Sequence, residues 1–226
     1  MKKVRILSRS SEPFRNRIEA GRLLAEAIRS ETPERPVIVG VPRGGMVVAA
    51  ELAAALAGEL DVVIVRKLGA PGNPELAIGA MTENGTPFID TALAQATGVS
   101  ESYLTQEKSA ALKEIARRSA AYRTVCRKTP LKDRAVIITD DGVATGYTLQ
   151  AAIWAVRLEQ PRHLIVALPV GPPETLERLA DFADRVVCLR CPSFFQAVGQ
   201  FYEHFDQTDD AVVLDILSRQ VAHKRT

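Results

Sequence analysis

The run Ala135-Val136-Ile137-Ile138-Thr139-Asp140-Asp141-Gly142-Val143-Ala144-Thr145-Gly146-Tyr147-Thr148 decides how this chain of 226 residues is read. Its opening apolar, mostly β-branched residues fit a strand covered on both faces. Two adjacent carboxylates follow where that strand should end. Small residues come next, with the hydroxyls of Thr145 and Thr148 among them. Leu149-Gln150-Ala151-Ala152-Ile153-Trp154-Ala155-Val156 then continues as an apolar-rich helix pattern. The order is strand, acid pair, small-residue loop, helix.

A loop of this kind favours an anion. A helix start presents unpaired N–H groups and the positive end of its dipole, and glycine lets a phosphate approach the backbone. The dipole contributes about 0.3–1 kcal/mol, rising to about 2 where the anion is partly buried. Asp140 and Asp141 would repel that anion unless they face sugar hydroxyls or a cation held by the ligand. The ligand implied is a phosphorylated sugar. Asp-Asp-Gly alone is also an ordinary turn, but the whole order from Ala135 to Thr148 is far more restrictive.

Composition sets the outer bounds. The length suits one domain of about 150–200 residues with an appendage. A hydrophobic share of 46% and a charged share of 25% describe a globular chain. A net charge of +2 and a pI near 8.5 are too mild to argue for a nucleic-acid partner. Met1-Lys2-Lys3-Val4-Arg5 lacks the apolar run of a signal peptide, and nothing is apolar for long enough to span a membrane. Three cysteines, an odd and sparse set, fit a reducing compartment, so a cytoplasmic protein is expected.

Upstream, Phe14 to Ser30 carries Ile18, Leu23, Leu24, Ala27 and Ile28 at helical spacing. Val37 to Val41 is an apolar strand that runs into Pro42-Arg43-Gly44-Gly45. An Ala-rich helix from Met46 to Ala57 follows, with Gly58 to end it. Arginine beside bare glycine amides suits a diphosphate. Leu60 to Val65 is the next strand and ends in Arg66-Lys67. Gly69 to Pro74 is so rich in Gly and Pro that no regular element is expected there. Leu76 to Met81 and Pro87 to Ile89 are short strands flanking Glu83-Asn84-Gly85. Ser100 to Arg123 is a charged helix with Glu114 four residues before Arg118.

Downstream, His163 to Leu168 and Arg185 to Leu189 are strands, and Pro173 opens a helix. Cys188 and Cys191 have Cys-x-x-Cys spacing but lack the further ligands of a zinc site. Phe194 to Tyr202 gathers aromatic residues, as either a small satellite core or an apolar lid. Asp209 to Ser218 is a closing helix, and the tail Val221 to Thr226 is expected to be loose.

The stretch from Ala135 to Thr148 resembles the phosphoribosyl pyrophosphate (PRPP) motif of type I phosphoribosyltransferases, in which apolar residues lead to two acids and a Thr-Gly-x-Thr loop. The resemblance implies that Asp140 and Asp141 bind the ribose hydroxyls and stabilise the reacting sugar. Gly142, Val143, Ala144, Thr145, Gly146, Tyr147 and Thr148 would hold the 5′-phosphate. Pro42, Arg43, Gly44 and Gly45 look like the family's pyrophosphate loop, with a cis peptide bond within Val41 to Gly44. Arg66 and Lys67 match its supporting basic pair, and residues 68–80 match the position of its mobile loop. One departure stands out: no Lys, Arg or Tyr lies between Gly69 and Met81. Lys67 or a cation from elsewhere would have to serve, with Lys108 and Arg118 as outside candidates.

The fold expected is α/β: a parallel five-stranded sheet with helices on both faces, plus a small hood. The core would cover 36–190, with 1–35 and 191–226 as hood or flanking segments. The reaction implied transfers the 5-phosphoribosyl group from PRPP to an unidentified acceptor, expected to be a nitrogenous base, and releases pyrophosphate. Mg2+ would be held mainly through PRPP, and a homodimer is expected. Ala144 stands where hypoxanthine-guanine enzymes carry an Asp, which disfavours a 6-oxopurine. The wider pattern, from Phe14-Arg15-Asn16-Arg17 to Phe195 through Asp206, is similar to a bacterial group of phosphoribosyltransferases without a settled substrate. A PRPP- or nucleotide-sensing regulator using the same site without turnover is the alternative.

Overall fold

Every residue of Val37–Gly40 and Ala135–Thr139 is buried, as strands covered on both faces require. The computed structural model describes residues 3–223. Its elements begin with β1 (Val4–Ser8), α1 (Arg17–Ile28), β2 (Val37–Gly40), α2 (Gly45–Ala55) and β3 (Glu59–Val62). Next come β4 (Val65–Ala70), β5 (Asn73–Thr82), β6 (Pro87–Ile89), α3 (Thr91–Ala96) and α4 (Glu101–Tyr122). The chain continues through β7 (Ala135–Thr139), α5 (Tyr147–Leu158), β8 (His163–Val170), α6 (Pro173–Leu179), β9 (Arg185–Arg190) and α7 (Asp210–His223).

The main sheet is parallel throughout, in the order β1-β9-β8-β7-β2-β3. Alternate residues serve opposite faces. Ile38 and Ile137 join the apolar cluster formed with Leu24 of α1 and Leu52 of α2. Val37, Val39, Val136 and Ile138 join Ile153 of α5 and Leu176 of α6 on the other side. Helix α2 therefore leaves β2 toward one face, and α5 leaves β7 toward the other. Since β2 and β7 are neighbours, paired Val37↔Val136 through Gly40↔Thr139, a crevice opens between them at the carboxyl ends, the usual ligand position in such sheets.

The sheet has six strands rather than the five expected. Val4–Ser8, placed by sequence in a flanking segment, pairs with β9 from Val4↔Val186 to Ser8↔Arg190. It is an edge strand with half-exposed side chains, so it lacks the all-apolar run that marks the central ones. The reading of Leu60 to Val65 as one strand also needs correction. Strand β3 stops at Val62 and the chain leaves the sheet before β4 begins.

Residues 69–74, expected to hold no regular element, lie in the β4–β5 hairpin, and the strand expected at Leu76 to Met81 lies within β5; the hairpin joins β6 as a separate antiparallel sheet. Gly72 supplies the turn with φ +73, which glycine adopts without penalty. A register shift beside Gly69 absorbs the irregular sequence. This sheet leans on α5, where Trp154 stacks on Phe88 at 4.5 Å and meets Phe182 edge-on at 5.7 Å. It also meets α4, whose Tyr103 hydroxyl donates to Gly69 O at 3.1 Å. Of the tail, 221–223 extend α7, and the expectation for 224–226 lies outside the described residues.

Candidate functional site

The chain arrives at the crevice from two sides. After β2, Pro42 and Arg43 are joined by a cis peptide bond, inside the interval Val41 to Gly44 where the family resemblance implied one. Gly44 and Gly45 then start α2 beneath the acid pair. A Cβ on Gly44 would lie 2.7 Å from Asp141 Cγ, and one on Gly45 would lie 2.7 Å from Asp140 Cα. Real side chains do not tolerate such approaches, so the two glycines are what let the loops touch. Residues about a hundred positions apart share one wall.

Asp141 is held from three directions. Arg17, at the start of α1, donates from Nε to Asp141 Oδ2 at 2.7 Å, with both side chains largely buried. The Tyr202 hydroxyl donates to the Asp141 carbonyl. Asp140 Oδ1 accepts the Asp141 N–H at 2.8 Å. Burial, then the negative charge of Asp141, pushes the Asp140 carboxyl well above its ordinary 3.8. Burial also raises Asp141, although Arg17 opposes the shift. The pair therefore resists carrying two charges, and Arg17 offsets only part of that cost.

Arg17 is itself clamped. Its guanidinium lies 3.8 Å from the Phe205 ring centre and 6.0 Å from that of Tyr202. Its Nη1 donates to Asp206 O at 2.8 Å. Arg17, Arg43, Gly44 and residues 205–208 enclose a cavity of about 360 Å³. The aromatic segment thus forms both a satellite core, with Phe195 and Phe201 rings 5.0 Å apart, and one side of the crevice.

The second loop is propped from outside. Val143 N donates to Val170 O at 2.9 Å, and Thr175 Oγ1 donates to Ala144 O at 2.7 Å. Arg178 donates to Thr145 O and lies 4.6 Å over the Tyr147 ring. Gly146 caps α5 in the left-handed region, and no side chain caps that helix start. Its first N–H groups remain open to an acceptor.

Other expected residues sit elsewhere. Arg66 and Lys67 lie on β4 and line a separate cavity of about 370 Å³ against α4. The Lys67 ammonium pairs with Glu75 at 3.0 Å. Cys188 and Cys191 are free and buried, and burial pushes both thiols up, away from reactive thiolate. Among the described residues no three His, Cys, Asp or Glu side chains cluster as a metal site. Asp140 and Asp141 nevertheless present hard oxygen donors that suit Mg2+ when a substrate supplies most of its ligands. Arg17, Tyr202 and Arg178 carry weight that the residue-by-residue reading missed. The one pointer was the run Phe14-Arg15-Asn16-Arg17, part of a wider resemblance rather than a local motif.

The family model described as "Phosphoribosyl transferase domain" matches residues 15–206. The chain is 39% identical over 211 residues to two Mycobacterium tuberculosis proteins, from strains CDC 1551 and H37Rv, both named as candidate phosphoribosyl transferases. The match takes in 93% of this chain and 47% of theirs, so the chain spans about half the length of the curated relatives it matches. It is also 45% identical to TT1426 from Thermus thermophilus. That crystal structure matches with a TM-score of 0.87 over 92% of this chain and 99% of its own.

Proposed function

Since this chain belongs to the phosphoribosyltransferase family, we propose that it transfers the 5-phosphoribosyl group of PRPP to a nitrogenous acceptor and releases pyrophosphate. The observation that carries this reading is the meeting of Gly44 and Gly45 with Asp141 and Asp140 at the ends of adjacent parallel strands. One loop offers open helix N–H groups and threonine hydroxyls to a 5′-phosphate. The other offers Arg43 and glycine amides to a diphosphate. The ribose then lies across the acid pair.

In this reading Asp140 and Asp141 accept hydrogen bonds from the ribose hydroxyls and face the positive charge that develops as the C1–oxygen bond breaks. Arg43 holds the departing diphosphate through charge-assisted bonds. Arg17 keeps Asp141 oriented before substrate arrives. Mg2+ would be held mainly through PRPP, with Asp140 and Asp141 as the nearby oxygen donors of the chain, and would supply neutralising charge for the leaving group. Phe205 and the segment around it border the side from which an acceptor would approach. Reduced, buried cysteines suit a cytoplasmic setting for this chemistry.

Calorimetry with PRPP and Mg2+ tests the proposal. Binding is expected for the unaltered chain and lost in the double variant Asp140→Asn, Asp141→Asn. Unchanged affinity in that variant would remove the acids from the ribose site. A regulatory reading has one observation in its favour: the hairpin between Gly69 and Met81 carries no Lys, Arg or Tyr. Screening acceptors for pyrophosphate release separates the two. Release with one compound supports catalysis, and tight PRPP binding without turnover across the screen supports sensing.

A further inference from the structure

Helix α6 packs behind the loop that joins β7 to α5 and takes two of its carbonyls. Thr175 Oγ1 donates to Ala144 O at 2.7 Å, and Arg178 Nη2 donates to Thr145 O. Both peptide units are trans, and in a planar trans unit the carbonyl and the following N–H point opposite ways. Carbonyls held toward α6 therefore turn the Thr145 and Gly146 N–H groups away from it. Among the described residues neither N–H donates a hydrogen bond. The fit leaves no slack. Gly146 has φ +73, and a Cβ there would lie 2.6 Å from Thr175 Cγ2 and 3.1 Å from Arg178 Nη2.

Arg178 is unfavourably placed for an empty chain. Among the described residues its buried Nε has no acceptor, and no carboxylate pairs with its guanidinium. Instead the guanidinium lies 4.6 Å over the Tyr147 ring. That ring packs against the cluster of Trp154, Ala77 and Ala80, which keeps the arginine between the loop and the small sheet. A buried idle donor and an unneutralised charge both lower stability. Such a side chain contributes least while the loop is empty and most once an anion lies across it.

We propose that Arg178 is a positioning residue for phosphate capture. It touches no substrate atom. From behind the loop it aims the Gly146 amide, as Thr175 aims that of Thr145, and it sets an unpaired positive charge on the side opposite the anion. The inference rests on the PRPP reading above. A guanidinium suits this task because it stacks on an aromatic face while one arm of its fork still donates.

The test is calorimetric titration with Mg2+–PRPP and, separately, with Mg2+–pyrophosphate. The proteins compared are the unaltered chain, Arg178→Met, Arg178→Lys and Arg162→Met, which removes an exposed arginine beyond α5. Thermal unfolding is recorded for each. Arg178→Met is expected to weaken PRPP binding about tenfold, while pyrophosphate stays within about twofold. Its Tm should stay within about 2 °C of the unaltered value, because the lost hydrogen bond is offset by removal of the idle donor. Arg178→Lys, which keeps the charge and loses the fork, should fall between, and Arg162→Met should leave both ligands within about twofold. PRPP affinity unchanged in Arg178→Met would overturn the assignment while leaving the PRPP reading intact. So would both ligands weakened alike together with a lower Tm, which marks a merely structural role. Should Arg178→Met not fold, Arg178→Lys carries the same comparison. An unaltered chain that binds neither ligand would remove the PRPP reading and this inference with it.

Discussion

The two loops at the crevice follow the same plan of strand, turn and helix, yet they are stabilised in opposite ways. Pro42 to Gly45 is defined by what it cannot contain: Gly44 and Gly45 are pressed against Asp141 and Asp140, so a single added methyl group has nowhere to go. Asp140 to Thr148 is defined by what is added around it, with Thr175 and Arg178 of α6 and Val198 packed behind Gly142. The first is shaped by close backbone approach and the second by side-chain props. The first should therefore fail abruptly when altered, and the second by degrees.

Gly44→Ala tests the abrupt side and should have the largest effect. Its Cβ would displace the Asp141 carboxylate from Arg17, and a misplacement near 1 Å can lower binding or rate by about a hundredfold. Overpacking should also reduce stability by about 1–3 kcal/mol. PRPP calorimetry and thermal unfolding read both, and near-normal values would show that the loops do not depend on contact.

The acid pair gives the next largest effect and splits stability from binding. Both Asp140 and Asp141 titrate above 3.8 in the folded chain. A carboxyl raised by folding contributes stability in full below its unfolded value and loses it as pH climbs through the folded value. Asp140→Asn should therefore be more stable than the unaltered chain near pH 7, by about 2–4 °C if about 1 kcal/mol is relieved. That advantage should shrink as the pH is lowered toward 3.8. Asp141→Asn should show no such gain, because it strands the buried Arg17. Thermal scans across pH check the contrast, and a parallel rise in both variants would contradict it.

The smallest effect belongs to the propped loop. Thr175→Val removes one hydroxyl donor to Ala144 O, worth about 1 kcal/mol. PRPP affinity should drop only a few-fold. A loss as large as that of Gly44→Ala would erase the distinction between the loops.

The parts of this molecule that sequence reveals are those whose physics is local. The strand, acid pair and helix start from Ala135 to Thr148 lie consecutively in the chain. The same is true of Val37 to Gly45, so both loops were legible with their neighbouring strands. Strand β1 was not, because an edge strand of mixed polarity carries no burial signature. The β4–β5 hairpin was masked by its own Gly and Pro residues, which occupy the turn and a register shift rather than abolishing the strands. Arg17 was hidden for a different reason. Its partner lies 124 residues away, and no local pattern distinguishes an arginine that meets a buried carboxylate from one that meets solvent.

Trp154 is the chain's only tryptophan. It sits on α5, in contact with Phe88 of the small antiparallel sheet and with Phe182 beside α6. Among the described residues its buried indole N–H has no acceptor. The helix that begins at the 5′-phosphate loop therefore carries a built-in optical gauge. Sliding of the small sheet across α5 would admit water to the indole and shift its emission to longer wavelength, so selectively excited tryptophan fluorescence from the unlabelled protein reports on that seam, apart from the four tyrosines.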